Sequence, residues 1–277
     1  MSPIIMVALG AVVAAGLWVS GAYWLFNRSI EADIRRLEAE AGSGGQIVTP
    51  ESIAHLPERV QRYLKWSGVI GKPIPALVRI GQRGRIRSSP DAAWMEMEAE
   101  ELYSTDPPAF VWRAWFPRRA GAMVFGRDEY LGGEASIRMK MLGVAPVADL
   151  AGKELRAAGL MRYLNEMMWF PAAFVGDNVR WMAIDGTAAV ATITDRGISV
   201  TGTFFLDEQG RPVNFRALRY STDTKRLETW ETPITDYGEF DGLNLPTRGK
   251  GVWKLAEGDF TYIELEITGV AYDEARK

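Results

Sequence analysis

Few residues in this chain combine a reactive type with a spacing that supports chemistry. The single histidine, His55, stands beside Leu56-Pro57 in a helical-looking segment, where a lone histidine is more often a surface or capping residue than a catalyst. There are no cysteines. That removes disulfides, thiol nucleophiles, thiolate metal sites and the acceptor cysteine of a lipoprotein anchor. One histidine also rules out a two- or three-histidine metal centre within one chain. Asp236, Glu239 and Asp241 gather carboxylates but lack the alternating spacing and central glycine of a calcium loop, so they read as a solvated turn before Gly242. The pairs Asp128–Glu129 and Asp149–Glu154 gain meaning only from folding. No Gly-x-Ser-x-Gly, phosphate-cradling loop or dinucleotide fingerprint falls at a strand-to-helix turn. The sequence therefore predicts no catalytic residue, no metal site and no cofactor.

Its aromatic content says more. Of the ten tryptophans, Trp112, Trp115, Trp169, Trp181, Trp230 and Trp253 fall on expected strands or at the end of a helical block. Core filling is the default use of large apolar side chains. In a curved sheet the same rings would also wall a groove for an apolar ligand. The candidate groove lining is Trp112, Trp115, Trp169, Phe170, Tyr237, Trp253 and Tyr262.

The elements that must position these residues begin with a membrane span. From Ile4 to Phe26 there is no charged residue, and such a helix would exceed the ~30 Å hydrocarbon core of a bilayer. No basic residue precedes it and bulky Tyr23, Trp24, Leu25 and Phe26 close it, which favours an uncleaved anchor over a signal peptide. Arg28, Arg35 and Arg36 follow the span, and the positive-inside rule would then put the remaining chain in the cytoplasm. The near-neutral balance, formal net charge −3, argues against a nucleic-acid partner. The expected organisation is an anchor over 1–27, a charged juxtamembrane helix and Gly/Ser linker over 28–49 with a flexible joint at Gly42-Ser43-Gly44-Gly45, and one domain over 50–277.

Thr49-Pro50 predicts a helix start, and a second helix runs from Pro57 to Gly68. Beyond Gly71 the apolar period becomes that of strands. Pairing Arg87 with Trp94 sets Arg85 opposite Glu96 and Arg83 opposite Glu98, an exposed arginine–glutamate ladder. A second hairpin pairs Leu206 with Arg211, so that Phe204 meets Val213. A third turns at Glu257-Gly258 and sets Trp253 opposite Tyr262. Strands are also expected over Phe110–Phe116, Met123–Leu131, Ser136–Leu142, Val179–Ile184, Ala188–Thr194 and Thr229–Phe240. Asp149–Phe174 reads as a helical block. The fold class is α+β: a curved antiparallel half-barrel of roughly ten or more strands, with helices in or across its concave side, behind one transmembrane helix.

Several segments in order carry a family likeness: the run from His55 to Leu64, Phe110-Val111-Trp112-Arg113-Ala114, Arg162-Tyr163-Leu164-Asn165-Glu166 with Trp169-Phe170-Pro171, and Asp236-Tyr237 through Gly242-Leu243-Asn244-Leu245-Pro246-Thr247 to Trp253. Together they resemble an uncharacterised bacterial family of membrane-anchored domains of unknown function. The layout from Gly202-Thr203-Phe204 through Tyr237, Gly242 and Pro246 is also similar to the LolA/LolB-like lipoprotein-carrier fold. That resemblance implies a half-open barrel holding acyl chains, and an extracytoplasmic location. The functional expectation is a membrane-tethered, non-catalytic module holding a lipid or other apolar ligand. The alternative is a membrane-anchored scaffold that holds a protein partner on a sheet edge or on the arginine–glutamate face.

Overall fold

The computed structural model describes residues 2–117, 123–184 and 186–273. Helix α1 (Pro3–Glu40) runs unbroken from the apolar stretch into the charged segment. It is long and apolar enough to cross a membrane, and its most apolar window is wholly unburied. From Phe26 onward the helix changes character. Phe26, Ile30, Ile34 and Leu37 recur at three- and four-residue intervals, making one apolar stripe. That stripe is buried against Leu102, Ala109, Val111 and Leu131. Glu31 and Glu38 meet Arg113 (2.7 Å) and Arg79 (3.4 Å), and Asp33 meets Arg127.

The expected joint at 42–45 is not loose. Gly42 N–H donates to the Asp106 carbonyl (2.6 Å) and Gly45 N–H to that of Ile74 (2.8 Å). Gly44 has φ +58°, and a Cβ there would lie 2.6 Å from the Ala76 nitrogen. These glycines permit a tight, packed corner rather than a free tether. Helix α2 (Pro50–Ile53) follows, opened by a reciprocal Thr49–Ser52 cap. Helix α3 (Glu58–Ser67) ends at left-handed Gly68.

Among the described residues the strands that follow form one fourteen-stranded antiparallel sheet. Its first wing is β1 (Leu77–Ile86), β2 (Met95–Ser104), β3 (Ala109–Pro117), β4 (Met123–Leu131), β5 (Glu134–Met141) and β6 (Ala145–Ala151). Helix α4 (Lys153–Glu166) and two short 3-10 turns lead to the second wing. That wing is β7 (Val179–Ala183), β8 (Ala188–Asp195), β9 (Ile198–Leu206), β10 (Pro212–Ser221) and β11 (Arg226–Glu231). Strands β12 (Ile234–Phe240), β13 (Leu243–Leu255) and β14 (Gly258–Tyr272) complete the chain. The spatial order is β6-β5-β4-β3-β2-β1-β14-β13-β11-β10-β9-β8-β7, with β12 paired to β13 off this path. The wings are meanders, and they join where the first strand meets the last. The sheet curves into a half-barrel whose concave side holds the main core.

The β1–β2 register is the one alternation predicts, with Arg85 opposite Glu96 and Arg83 opposite Glu98. The ion pairs, however, form on the other flank of β1: Arg83 with Glu266 (2.6 Å) and Arg85 with Glu264 (2.7 Å), both on β14. Two hairpins differ from their expected registers. Leu206 pairs with Pro212 rather than Arg211, and a bulge between Pro212 and Asn214 adds one more residue, so Phe204 faces Phe215 rather than Val213. The two phenyl rings lie 4.8 Å apart and are fully buried; the bulge places the larger side chain in the core. The last hairpin turns at Ala256-Glu257, pairing Leu255 with Gly258 and Trp253 with Phe260.

Three residues expected as helix, 149–151, belong to strand β6, and the helix starts only after Gly152. The run expected over Thr229–Phe240 is two strands, interrupted at Thr232-Pro233, because proline has no N–H to give the ladder.

Candidate functional site

Helix α4 packs across the concave face against strands of both wings. It is buried on nearly all sides, through Leu155, Leu160, Tyr163, Leu164 and Glu166 among others. A helix enclosed in this way has little amphipathic signature. Antiparallel pairing puts the connections at 87–94, 142–144, 222–225 and 256–257 at one end of the strands, here termed the rim. The connections at 105–108, 132–133, 207–211 and 241–242 lie at the opposite end. Between the last turn of α4 and the rim is a cavity of about 510 Å³. Ile86, Arg87, Ser88, Met95, Thr222 and Asp223 line it towards the rim. Its floor includes Arg162, Asn165, Glu166, Met168 and Trp169.

The walls are aromatic and aliphatic. Trp112 donates its indole N–H to Gln82 Oε1 (2.9 Å), Trp169 to the Pro246 carbonyl (3.2 Å), and Trp230 to the Tyr262 hydroxyl (3.2 Å). With their polar ends paired, these side chains present hydrocarbon to the cavity. Arg219 lies flat over Trp230 at 4.6 Å and donates Nε–H to the Ala158 carbonyl (3.2 Å).

The floor holds a buried charge cluster centred on Arg162. Its Nε donates to Glu166 (2.8 Å), Nη1 to Asp128 (2.7 Å) and Nη2 to Glu101 (2.8 Å), while the plane stacks over Phe110 at 4.8 Å. Gln82 donates to the second oxygen of Glu101 (2.8 Å), and the Tyr103 hydroxyl donates to Glu166 (3.1 Å). Burial pushes Glu101 up from the ordinary 4.5 to about 8, against the pull of Arg162 and with a further push from Glu166. Burial likewise raises Glu166, with Arg162 opposing. Every nitrogen of the guanidinium is committed to a carboxylate, so the cluster is a closed network.

Of the residues singled out from sequence, Trp112, Trp169, Trp253 and Tyr262 line this cavity. Trp115 does not. It alternates with Trp112 and Ala114 along β3, and so shares the convex face with Val111, which packs under α1. Phe170 lies in the solid core, 4.9 Å from the Tyr103 ring and 5.6 Å from that of Tyr163. Tyr237 is on the off-path strand β12, where its hydroxyl donates to the Pro212 carbonyl (2.8 Å) and its ring meets Trp66 edge-on. Sequence reasoning missed Arg162, Glu101, Gln82 and Arg219. The only local trace was the Arg162/Glu166 spacing, which reads as a surface helix pair. Asp128 and Glu129 point to opposite faces, the first to Arg162 and the second to Arg127 (2.8 Å). Asp149 pairs with Arg138 (3.2 Å) on the sheet edge, and His55 is exposed between α2 and α3.

Nothing among curated proteins matches the chain. Among solved structures it is similar to a DUF1329 family protein from Desulfovibrio piger, at 11% identity over 79% of this chain and 92% of that one, with a TM-score of 0.45. It is also similar to a LolA superfamily protein from Nitrosomonas europaea, at 14% identity over 83% of this chain and 96% of that one, with a TM-score of 0.43. Residues 46–265 match the model of a family of unknown function, DUF6544, so the match takes in β1 to β13, the first half of β14 and the cavity they enclose, and the chain belongs to that family.

Proposed function

We propose that this protein is a membrane-tethered binding module that holds a lipid or other apolar ligand in the half-barrel cavity and does no chemistry on it. The observation that carries this reading is the cavity itself: about 510 Å³, within the range of roughly 300–1,000 Å³ typical of small-molecule sites. Its walls are largely tryptophan, methionine and aliphatic side chains, and the indole N–H groups of Trp112, Trp169 and Trp230 are already paired. The Arg162 network supports a non-catalytic role, since the floor carboxyls Glu101, Asp128 and Glu166 are all engaged by one guanidinium. The exposed apolar part of α1 supports tethering.

The test is native mass spectrometry of the full chain released from detergent, with lipid extraction of the same sample. A bound amphiphile is expected in the wild type. Met139→Trp, which fills the cavity from β5, should lose it while the chain stays folded by circular dichroism. A wild-type chain that carries nothing and takes up no added lipid would end this reading.

A second reading, a scaffold for a protein partner, has one observation in its favour. Met182 on β7 and Ile184 just beyond it leave 63% and 55% of their surface exposed at a sheet edge. Edge strands of this kind pair readily with another chain. Crosslinking from Met182→Cys in membranes should then capture one defined protein; the ligand reading expects none.

A further inference from the structure

The geometry points to the rim of the half-barrel as a bilayer-docking surface, with the cavity mouth facing the leaflet from which α1 emerges. The inference rests on reading α1 as a membrane span, and four observations carry it.

The first is direction. Along α1, Tyr23 packs on Phe125 at 4.5 Å between ring centroids, and Lys140 lies 5.3 Å over the Phe26 ring. Further on, Glu31 pairs with Arg113, Asp33 with Arg127 and Glu38 with Arg79. On the strands this sequence of contacts starts beside the rim and walks to the opposite end. Met123, Met141 and Ile86 mark the rim ends of β4, β5 and β1, while Arg79 is near the far end of β1. Lengths agree. Tyr23 to Leu37 rises about 21 Å as helix, and β5 from Met141 to Glu134 spans about 23 Å. The docked half of α1 is as long as the wall it lies on.

The second is height. The uncharged span ends at Phe26, and Tyr23 and Trp24 are amphipathic rings of the kind that settle at headgroup level. The β5–β6 turn is seated on that same turn of helix. Gly143 has φ +74°, and a Cβ there would lie 2.6 Å from Tyr23 Cα. The rim therefore sits where the span leaves the hydrocarbon.

The third is rigidity. The buried stripe, the ion pairs and the tied corner at 42–45 hold α1 to the sheet, so the height and the direction are fixed together.

The fourth is the chemistry of the rim. Arg87 stacks over Trp94 (4.6 Å) and Phe260 (5.4 Å). Lys140 lies on the same end, and Val147 leaves 54% of its surface exposed beside the cavity. Basic groups on aromatic platforms with an apolar neighbour suit the headgroup level of a leaflet, and Asp91, Asp223 and Glu257 on the same turns balance them so that the rim carries no net basic charge. A ligand could then pass between the leaflet and the cavity without crossing water.

The cysteine-free chain makes the test direct. Ser89→Cys and Val147→Cys on the rim, and Glu208→Cys on the opposite end, are each spin-labelled in the full chain. They are then placed in nanodiscs of phosphatidylcholine and phosphatidylglycerol containing a nickel-chelating lipid. Strong nickel relaxation at 89 and 147 with little at 208 is the expected result. Equal relaxation at both ends, stronger relaxation at 208, or silence at all three would overturn the inference. Lipid co-purification is scored separately. If the rim labels respond and no lipid binds, the orientation stands and the ligand reading falls. If lipid binds and 208 responds most, the orientation alone falls.

Discussion

Two arginines of this protein make ion pairs with carboxylates of neighbouring elements, yet they do different work. Arg85, on β1, pairs with Glu264 with 43% of its side chain exposed. Arg162, on α4, is 14% exposed and holds Glu101, Asp128 and Glu166 at once. In water the attraction between such charges is worth little and competes with hydration. Inside, hydration is gone, so each charge depends on its partners and removing one strands the others. The sheet exterior can thus lose an ion pair with little consequence, whereas the cavity floor stands or falls as a unit.

The sharpest way to break the comparison is Arg162→Met, which leaves three largely buried carboxyl groups without their shared guanidinium donor. We expect a loss of about 3–5 kcal/mol, read as a lower urea midpoint for the full chain in detergent; a change under 1 kcal/mol would contradict a closed network. Arg127 is the intermediate case. It lies under α1 with 4% of its side chain exposed and meets both Asp33 and Glu129. Arg127→Met should cost about 1.5–3 kcal/mol and expose the 28–40 segment to limited proteolysis.

A pH titration sharpens the same contrast. Glu101 is held at about 8 when folded against an ordinary 4.5. Between those values the unfolded chain has already lost a proton that the folded one keeps, so this group's stabilisation is complete below 4.5 and disappears as pH rises through 8. The wild-type urea midpoint should fall between pH 5 and 8, and Glu101→Gln should flatten that fall. Parallel pH curves for the two would show that Glu101 is not the titrating group. Arg85→Ala should have the smallest effect, about 0.2–1 kcal/mol, and that effect should shrink further in high salt.

The same contrast explains what was legible in the sequence. The Arg83–Arg85 ladder was readable because exposed strands alternate, and a one-residue slip would have buried charge. The helical half of the floor was not. Arg162 and Glu166 are four apart in a segment that reads as an ordinary amphipathic pair, while Glu101, Asp128 and Gln82 come from three different strands. Only the curvature of the sheet gathers them. Trp112 and Trp115 make the point within a single strand: both are aromatic, and parity along β3 sends one to the cavity and the other to the convex face. The packing of α1 had a sequence trace, the Ile30–Ile34–Leu37 stripe, but the neighbouring glycines suggested looseness. The bulge at Val213 left no trace, since it arises from how Phe204 and Phe215 share the core.

The seam where β1 meets β14 has a further consequence for synthesis. The partners Val78 and Tyr272 stand nearly a whole domain apart in the chain, so this pairing must wait until the last strand has left the ribosome. Until then the first wing, β1 to β6, has β1 as an unsatisfied edge, the kind of surface on which nascent chains aggregate. Arg79, Arg83, Arg85 and Arg87 are spaced along that edge and its exit. Before Arg83 and Arg85 pair with β14 and Arg79 with Glu38 of α1, the four would act as gatekeepers whose charge discourages a stranger's strand from docking there. On this account, replacing them with threonine would harm the yield of folded protein more than the stability of what folds.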